Sequence, residues 1–444
     1  MYIRNNYKYT EINEKLVLEQ IENILDSSFK NFLKVSPPDS CYKMYSNGKK
    51  KVDYSMYSGT GGNIYAYWRY HLLKKNKGLN TDKTIKYMKQ AYDVNLLLVK
   101  KEENASEFSI YDQSSSFFHG PIGVYTMGCI LSNEVNDESA FLENLKGVRK
   151  YKELALSNYS EDELLYGNAG YLYSLSLIYK NCILSGNFKT LCKDIQSDMI
   201  DIIQFLFEIG INKKEEKNSN YMIFPFPRNE SKKHTSKTYL GGAHGIFGVL
   251  YEMLVAINLL SENYNNENIE IIKNVIKNDL IDLSKLQFDS GNFPSSLKKS
   301  SDDLIQFCHG ATGAVFVYGL AYTIFKEELF LKIASKCGDS IWERGILKKG
   351  NGICHGITGN SYGLYYIYKI TSNPDWLNKA YCITIASLDK DIQIICSEYD
   401  NPQRMVTGIP DTPYSLMEGE GGTICFYSDI LNGSEFMLFP GYEV

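Results

Sequence analysis

Along this chain, apolar residues gather in blocks that are hydrophobic on every face. Examples are Ile64 to Leu73, Tyr171 to Tyr179, Val249 to Leu260, Val315 to Phe325 and Tyr362 to Ile370. A helix with no polar stripe belongs inside a larger assembly of helices. Between these blocks lie stretches bearing lysine and glutamate, such as Glu327 to Trp342, whose pattern predicts helices with one solvated face. The chain thus alternates buried inner helices with half-exposed outer ones.

Two glycines three apart precede each block: Gly59 and Gly62, Gly120 and Gly123, Gly167 and Gly170, Gly245 and Gly248, Gly310 and Gly313, Gly356 and Gly359, Gly419 and Gly422. Successive pairs lie 61, 47, 78, 65, 46 and 63 residues apart, so one unit is about 60 residues. A glycine pair permits a tight entry into a helix and a close approach of backbones; close helix packing alone would also use it. Seven recurrences argue for a closed ring. The predicted fold is all-α, an α/α toroid, a double barrel of seven inner and seven outer helices. Residues 1–444 read as a single domain, with 1–50 an N-terminal segment and first helix leading into the ring. The polar stretch from Asn212 to Lys237 reads as an insertion in the widest gap.

Composition narrows the class. Eleven prolines in 444 residues favour helices, and 44% hydrophobic with 22% charged residues excludes disorder. A net charge of −5 offers nucleic acid no general handle. No apolar stretch reaches transmembrane length, and the N-terminus has no signal-peptide core. Ten cysteines are too sparse for a disulfide scaffold, so reduced thiols in a cytoplasmic protein are expected, compatible with peripheral contact at the plasma membrane. Thirty-five tyrosines, polar-tipped rings, suit a core around a wet cavity.

Candidate chemistry sits on the turns. Cys308-His309-Gly310 and Cys354-His355-Gly356 carry the same triplet, and His244 and His119 precede Gly245 and Gly120. Four of six histidines therefore stand immediately before a repeat glycine. Thiolate and imidazole from separate loops suit Zn²⁺, and a toroid would bring those loops to one rim. If all four Cys and His residues of the two triplets bind, the site is closed and structural; with three, a position stays open for a reacting group. Spacing leaves that choice open. His244 is a candidate acid/base, because histidine exchanges protons near neutrality. His119 reads as structural.

These residues resemble the eukaryotic lanthionine synthetase C-like family, whose bacterial relatives form thioether rings. The resemblance spans nearly the whole chain and is densest from Gly291-Asn292-Phe293-Pro294 through the two Cys-His-Gly motifs. It continues through Lys348-Lys349-Gly350, Pro410-Asp411-Thr412-Pro413, Ser415-Leu416-Met417-Glu418-Gly419 and Phe439-Pro440. It implies one Zn²⁺ per chain on Cys308, Cys354 and His355, with water or a substrate thiol in fourth place and His309 unligated. It further implies glutathione as that thiol, added to electron-poor alkenes such as dehydroalanine or dehydrobutyrine at dehydrated Ser/Thr sites of peptides or proteins. His244 and His309 would then be catalytic, and Lys349, Pro410, Asp411 and Arg4 would bind substrate.

The chain departs from the family where Gly408 and Ile409 stand in place of Arg-Thr, so a guanidinium able to clamp a carboxylate is missing. Arg404, four residues upstream, could substitute. Two other functions fit the same residues: a non-catalytic adaptor binding glutathione and zinc, and a lanthionine-forming peptide cyclase. A glycosidase would need facing carboxylates, with Glu418 and Asp411 as candidates, and would leave the Cys-His pairs without a role.

Overall fold

The computed structural model describes residues 2–6, 12–228, 236–261, 266–401, 406–433 and 439–442. Seven inner helices follow the seven glycine turns: α2 (Gly61–Asn76), α4 (Ile122–Glu134), α7 (Asn168–Ser185), α9 (Ile246–Ser261), α11 (Ala311–Phe325), α13 (Ile357–Thr371) and α16 (Glu420–Asn432). Each contacts the next, and α16 returns to α2, closing the ring. Six outer helices follow in sequence and pack on their inner partners: α3 (Asp82–Glu103), α5 (Glu138–Arg149), α8 (Cys192–Glu216), α10 (Glu267–Ser284), α12 (Glu328–Arg344) and α14 (Pro374–Leu388). The seventh outer helix is α1 (Glu14–Val35), which comes from the other end of the chain to cover α16. Its buried residues Val17, Ile21, Leu25 and Phe29 recur every four positions, the stripe that seats one helix face on a core. The lead-in helix is therefore a structural member of the ring. The predicted α/α toroid of seven inner and seven outer helices is the observed fold.

Four further elements decorate it. They are α6 (Lys152–Ala155), α15 (Lys390–Ser397), the hairpin of β1 (Tyr42–Met44) and β2 (Lys50–Val52), and the short antiparallel pair β3 (Asp400–Asn401) and β4 (Val406–Thr407). No helix among the described residues is long and apolar enough to cross a membrane.

Side-chain caps at helix starts occur only in the outer layer among these helices. Four of the seven outer helices begin on side-chain caps, with Asn13, Asp137, Asn266 and Asn373 accepting from the first turn, whereas α3, α8 and α12 have none. Inner helices α7, α11, α13 and α16 begin on Gly167, Gly310, Gly356 and Gly419 with no side-chain cap. The glycines serve the turn itself. A Cβ on any of the fourteen would meet the carbonyl oxygen six residues earlier, at distances between 1.8 Å (Gly359) and 2.6 Å (Gly62). The approaching loop folds across its own turn, so the close contact is mainly within each unit rather than between helices. Gly310 adds a φ of 109°, which an L-residue rarely adopts.

The middle of the ring is packed. Arg69 of α2 pairs with Asp429 of α16 at 2.5 Å, both side chains almost fully buried, and Tyr362 of α13 donates to the same carboxylate at 2.6 Å. Phe439 and Tyr442 of the C-terminal segment lie between inner helices. Phe439 stands 4.3 Å from Phe307 by ring centroid, and Tyr442 stacks on Tyr251 at 3.9 Å while donating to the Gly242 carbonyl. The tyrosine surplus therefore has another use than a wet cavity. Tyr67, Tyr318 and Tyr442 bury their rings and spend their hydroxyls on backbone carbonyls.

Candidate functional site

The loops before the inner helices meet at one rim, and five of the seven are sewn together through the residue two before the first glycine. The Tyr57 amide donates to the Phe118 carbonyl (3.0 Å), Met417 to Tyr57 (3.2 Å), Cys354 to Met417 (2.8 Å) and Cys308 to Cys354 (3.3 Å). Both cysteines hold this position, so the ladder sets them side by side. The next residue along each loop is histidine at 119, 244, 309 and 355, Ser58 at the first turn, Tyr166 at the third and Glu418 at the seventh.

Cys308 Sγ, Cys354 Sγ and a ring nitrogen of His355 lie within 4.8 Å of one another, the one such grouping of three metal-ligating side chains among the described residues. The two thiols are buried, and His355 is half-buried. Donors around a tetrahedral Zn²⁺ stand roughly 3.8 Å apart when bonds are about 2.3 Å, so this two-sulfur, one-nitrogen set fits that ion with small adjustments. His309 lies outside the set, its ring 5.2 Å from Tyr239 and 5.7 Å from His244. Each sulfur has an outer donor: Tyr57 Oη donates to Cys354 Sγ at 3.2 Å, and Gln306 Nε2 donates to Cys308 Sγ at 3.0 Å. A hydrogen bond from Cys354, with help from His355, holds the Cys308 thiol well below its ordinary range despite burial. Burial, followed by the charges of Cys354 and Glu418, pushes the Tyr57 phenol far up, so it stays a donor.

A row of rings runs round the rim from this triad. Tyr57 stacks on His119 at 5.3 Å, His119 on Tyr166 at 4.3 Å, Tyr166 on His244 at 6.1 Å, and His244 on His309 at 5.7 Å. Two of the imidazoles differ in charge preference. Burial lowers His119 to about 4, which keeps it neutral. Burial also works against the charged form of His244, but Glu163, whose Oε2 is 3.0 Å from His244 Nδ1, outweighs it and raises the pKa. With Nδ1 engaged by a carboxylate, His244 presents Nε2 as its exchanging atom.

The remaining sequence candidates fall around this centre. Lys349 Nζ donates to Gln306 Oε1 at 3.3 Å, which connects it to the Cys308 sulfur through one side chain. Tyr2 and Ile3 pair with Leu347 and Ile346, setting exposed Arg4 beside the segment that leads to Lys349. Pro410 lines a cavity of about 400 Å³ with Gly350, Glu418 and Glu420, whereas Asp411 is exposed and joined to Ser46 through its backbone carbonyl. No side chain fits at position 408: a Cβ there would stand 1.7 Å from the Cys396 carbonyl, at the end of α15, and 2.5 Å from that of Lys348. Arg404 lies outside the described residues. Sequence reasoning missed Tyr57, Glu163, Tyr166 and Gln306. Tyr166 shares the histidines' position before a glycine and was findable on that rule; the other three are marked only by the fold.

A family model described as lanthionine synthetase C-like protein matches residues 50–444. Glutathione S-transferase LANCL1 of Danio rerio is 31% identical over 283 residues, 64% of this chain and 62% of the relative, so the match spans under two thirds of that protein. The LanC-like protein GCL1 of Arabidopsis thaliana is 25% identical over 338 residues, 74% of this chain and 70% of the relative. Among solved structures, nisin cyclase superimposes with a TM-score of 0.60 at 16% identity, over 95% of this chain and 99% of that one, a likeness of fold.

Proposed function

Because the chain belongs to the lanthionine synthetase C-like family, we propose that it is a zinc-dependent thiol transferase which adds glutathione to electron-poor alkenes, such as dehydroalanine or dehydrobutyrine residues of peptides and proteins. The observation that carries this reading is the Cys308, Cys354 and His355 triad, two sulfurs and one nitrogen that would hold Zn²⁺ and leave room for a substrate thiol. The relative named a glutathione S-transferase supports the choice of thiol.

Cys308, Cys354 and His355 would hold the ion. The chemistry it supplies is a thiol kept as thiolate, a gain in nucleophile on the order of 30-fold, about 2 kcal/mol, over a free thiol that is a few per cent ionised at neutral pH. The chain's own residues do the rest. Tyr57 and Gln306 fix the two protein sulfurs by hydrogen bonds, which orients the donors and spreads their charge. Thiol addition places negative charge on the carbonyl of the dehydroalanine and leaves its Cα to be protonated. His244, whose proton affinity Glu163 raises, provides that proton, and His309 beside it shapes the same face. Lys349, Arg4, Pro410 and Asp411 are the proposed contacts of the thiol's carboxylates and backbone. The packed Gly408 leaves the lysine and Arg4 to carry the charge pairing. The proposed location is the cytoplasm, where reduced glutathione is plentiful.

Incubating the metal-loaded protein with glutathione and a dehydroalanine peptide, then weighing the peptide by mass spectrometry, tests this reading. A thioether adduct formed in excess of the uncatalysed reaction supports it. No excess adduct, from protein carrying one zinc, would favour an adaptor that binds without reacting.

A further inference from the structure

The widest gap between inner helices, from α7 to α9, builds a second concavity beside the rim. The segments around Phe226, Lys237 to Leu240 and Ser295 to Leu297 lie side by side, joined by Phe226 N to Lys237 O (2.8 Å), Leu240 N to Ser295 O (3.1 Å) and Leu297 N to Thr238 O (3.0 Å). One side of this wall belongs to the thiolate centre: Phe226 stands 5.8 Å from the His244 ring, and Tyr239 stands 5.2 Å from that of His309. The other side, with the end of α8, encloses a cavity of about 650 Å³.

Its charged lining is almost all of one sign: Lys213, Lys217, Arg228, Lys237 and Lys298 against Glu216. Asp162 neutralises Arg228, and Glu216 is shared by Lys213 at 2.6 Å and Lys217 at 2.9 Å. Among the described residues, five cations face three carboxylates, Glu161 beside Arg228 included, a local positive excess in a chain whose net charge is −5. Lys237 and Lys298 are exposed and have no ion pair among the described residues. Ser219, Ser236, Thr238 and Ser296 add hydroxyl donors, and among the described residues no aromatic ring lines the cavity to stack on a flat ligand. A concave site of this sign concentrates anions. Its cations are spread over both walls rather than aimed at one point, which suits an extended, multiply charged chain more than one small ion.

We propose that this cavity receives an acidic segment, bearing carboxylates or phosphates, of the peptide whose alkene is delivered to the rim. The inference rests on the thiol-transferase reading and names its substrate class: polypeptides with negative charge flanking the dehydrated residue. Adjacent carboxylates tie the two places together, since Asp162 holds Arg228 in the cavity and Glu163 holds His244 at the rim.

Fluorescent peptides without an alkene, one rich in glutamate, one with phosphoserines and one with glutamine at the same positions, test binding by anisotropy at low salt. The two acidic peptides should bind about 10-fold more tightly than the neutral one, and the preference should fade as salt rises. It should vanish in Lys237→Glu/Lys298→Glu and shrink in the milder Lys237→Gln/Lys298→Gln, with binding of the neutral peptide unchanged. Equal binding of all three peptides, or a preference that survives charge reversal, overturns the proposal. Dehydroalanine versions of the peptides then separate the two claims. Turnover without acidic preference removes the cavity's role and keeps the transferase. Salt-sensitive acidic binding that both lysine pairs control, without turnover, keeps the cavity as an acidic-peptide site and removes the transferase.

Discussion

His244 Nδ1 stands 3.0 Å from Glu163 Oε2, a pair made by the loops of two neighbouring units and set at the rim beside the thiolate centre. Burial alone would strip His244 of its proton; the carboxylate reverses that sign.

Glu163→Gln should therefore lower the His244 pKa, because burial is then opposed only by the charge of Cys308. The alkaline limb of the pH–rate profile should move to lower pH, with kcat down roughly 10- to 100-fold and a smaller change in KM. The linked stability follows the raised histidine: present in full below the unfolded value of about 6.5 and lost as pH rises through the folded value. Urea melts from pH 5.5 to 9 should show that decline in wild type and not in the variant.

His119 carries the opposite sign. Burial lowers it to about 4, so the neutral ring is the folded form and stability falls as pH drops from about 6.5 to 4. The loss should approach about 3 kcal/mol. His119→Phe, which keeps a ring between Tyr57 and Tyr166, should remove that acid dependence in denaturant melts.

Repeat glycines and helix glycines should respond differently to a methyl group. At Gly359 a Cβ would stand 1.8 Å from the Ile353 carbonyl, which is backbone and cannot swing away; Gly359→Ala should cost more than about 3 kcal/mol. At Gly363, one turn on, the nearest atoms are the methyls of Thr312 and Ile341 at 3.2 and 3.3 Å. Gly363→Ala should stay within about 1 kcal/mol of wild type, since the helix gains what the contact loses. Thermal unfolding of the pair checks the contrast.

The Arg69–Asp429 pair clamps the first inner helix to the last. Asp429→Leu leaves a guanidinium buried without its anion and should cost about 3–5 kcal/mol. Arg69→Met with Asp429→Leu should recover much of that loss, because both desolvation costs disappear together. Denaturant midpoints of the single and double variants measure it.

The ring was legible in the sequence because a period of about 60 residues survives in fourteen glycines, each fixed by a backbone contact that tolerates no Cβ. The thiol and imidazole donors were legible for a related reason: they occupy fixed offsets from those glycines. Glu163 was not, because it lies four residues before Gly167, an offset held by Ser55, Ser116, Gly241, Gln306, Gly352 and Ser415 in the other units, with no residue type common to all. Its partner His244 arrives only when α7 and α9 pack together. The C-terminal plug at Phe439 and Tyr442 was equally hidden, since its contacts with Phe307 and Tyr251 cross more than a hundred residues of chain. Gly408 marks the reverse case, a visible departure whose cause is the end of α15 packed against it.

The central claim is that Cys308 and Cys354 hold a metal that activates the thiol. Zinc content and glutathione adduct formation on a dehydroalanine peptide, measured together for wild type and Cys354→Ala, test it most directly. Wild type should carry one zinc and form adduct, while Cys354→Ala, still folded by circular dichroism, should lose both. Equal adduct from the two proteins, or undiminished zinc in Cys354→Ala, would contradict it.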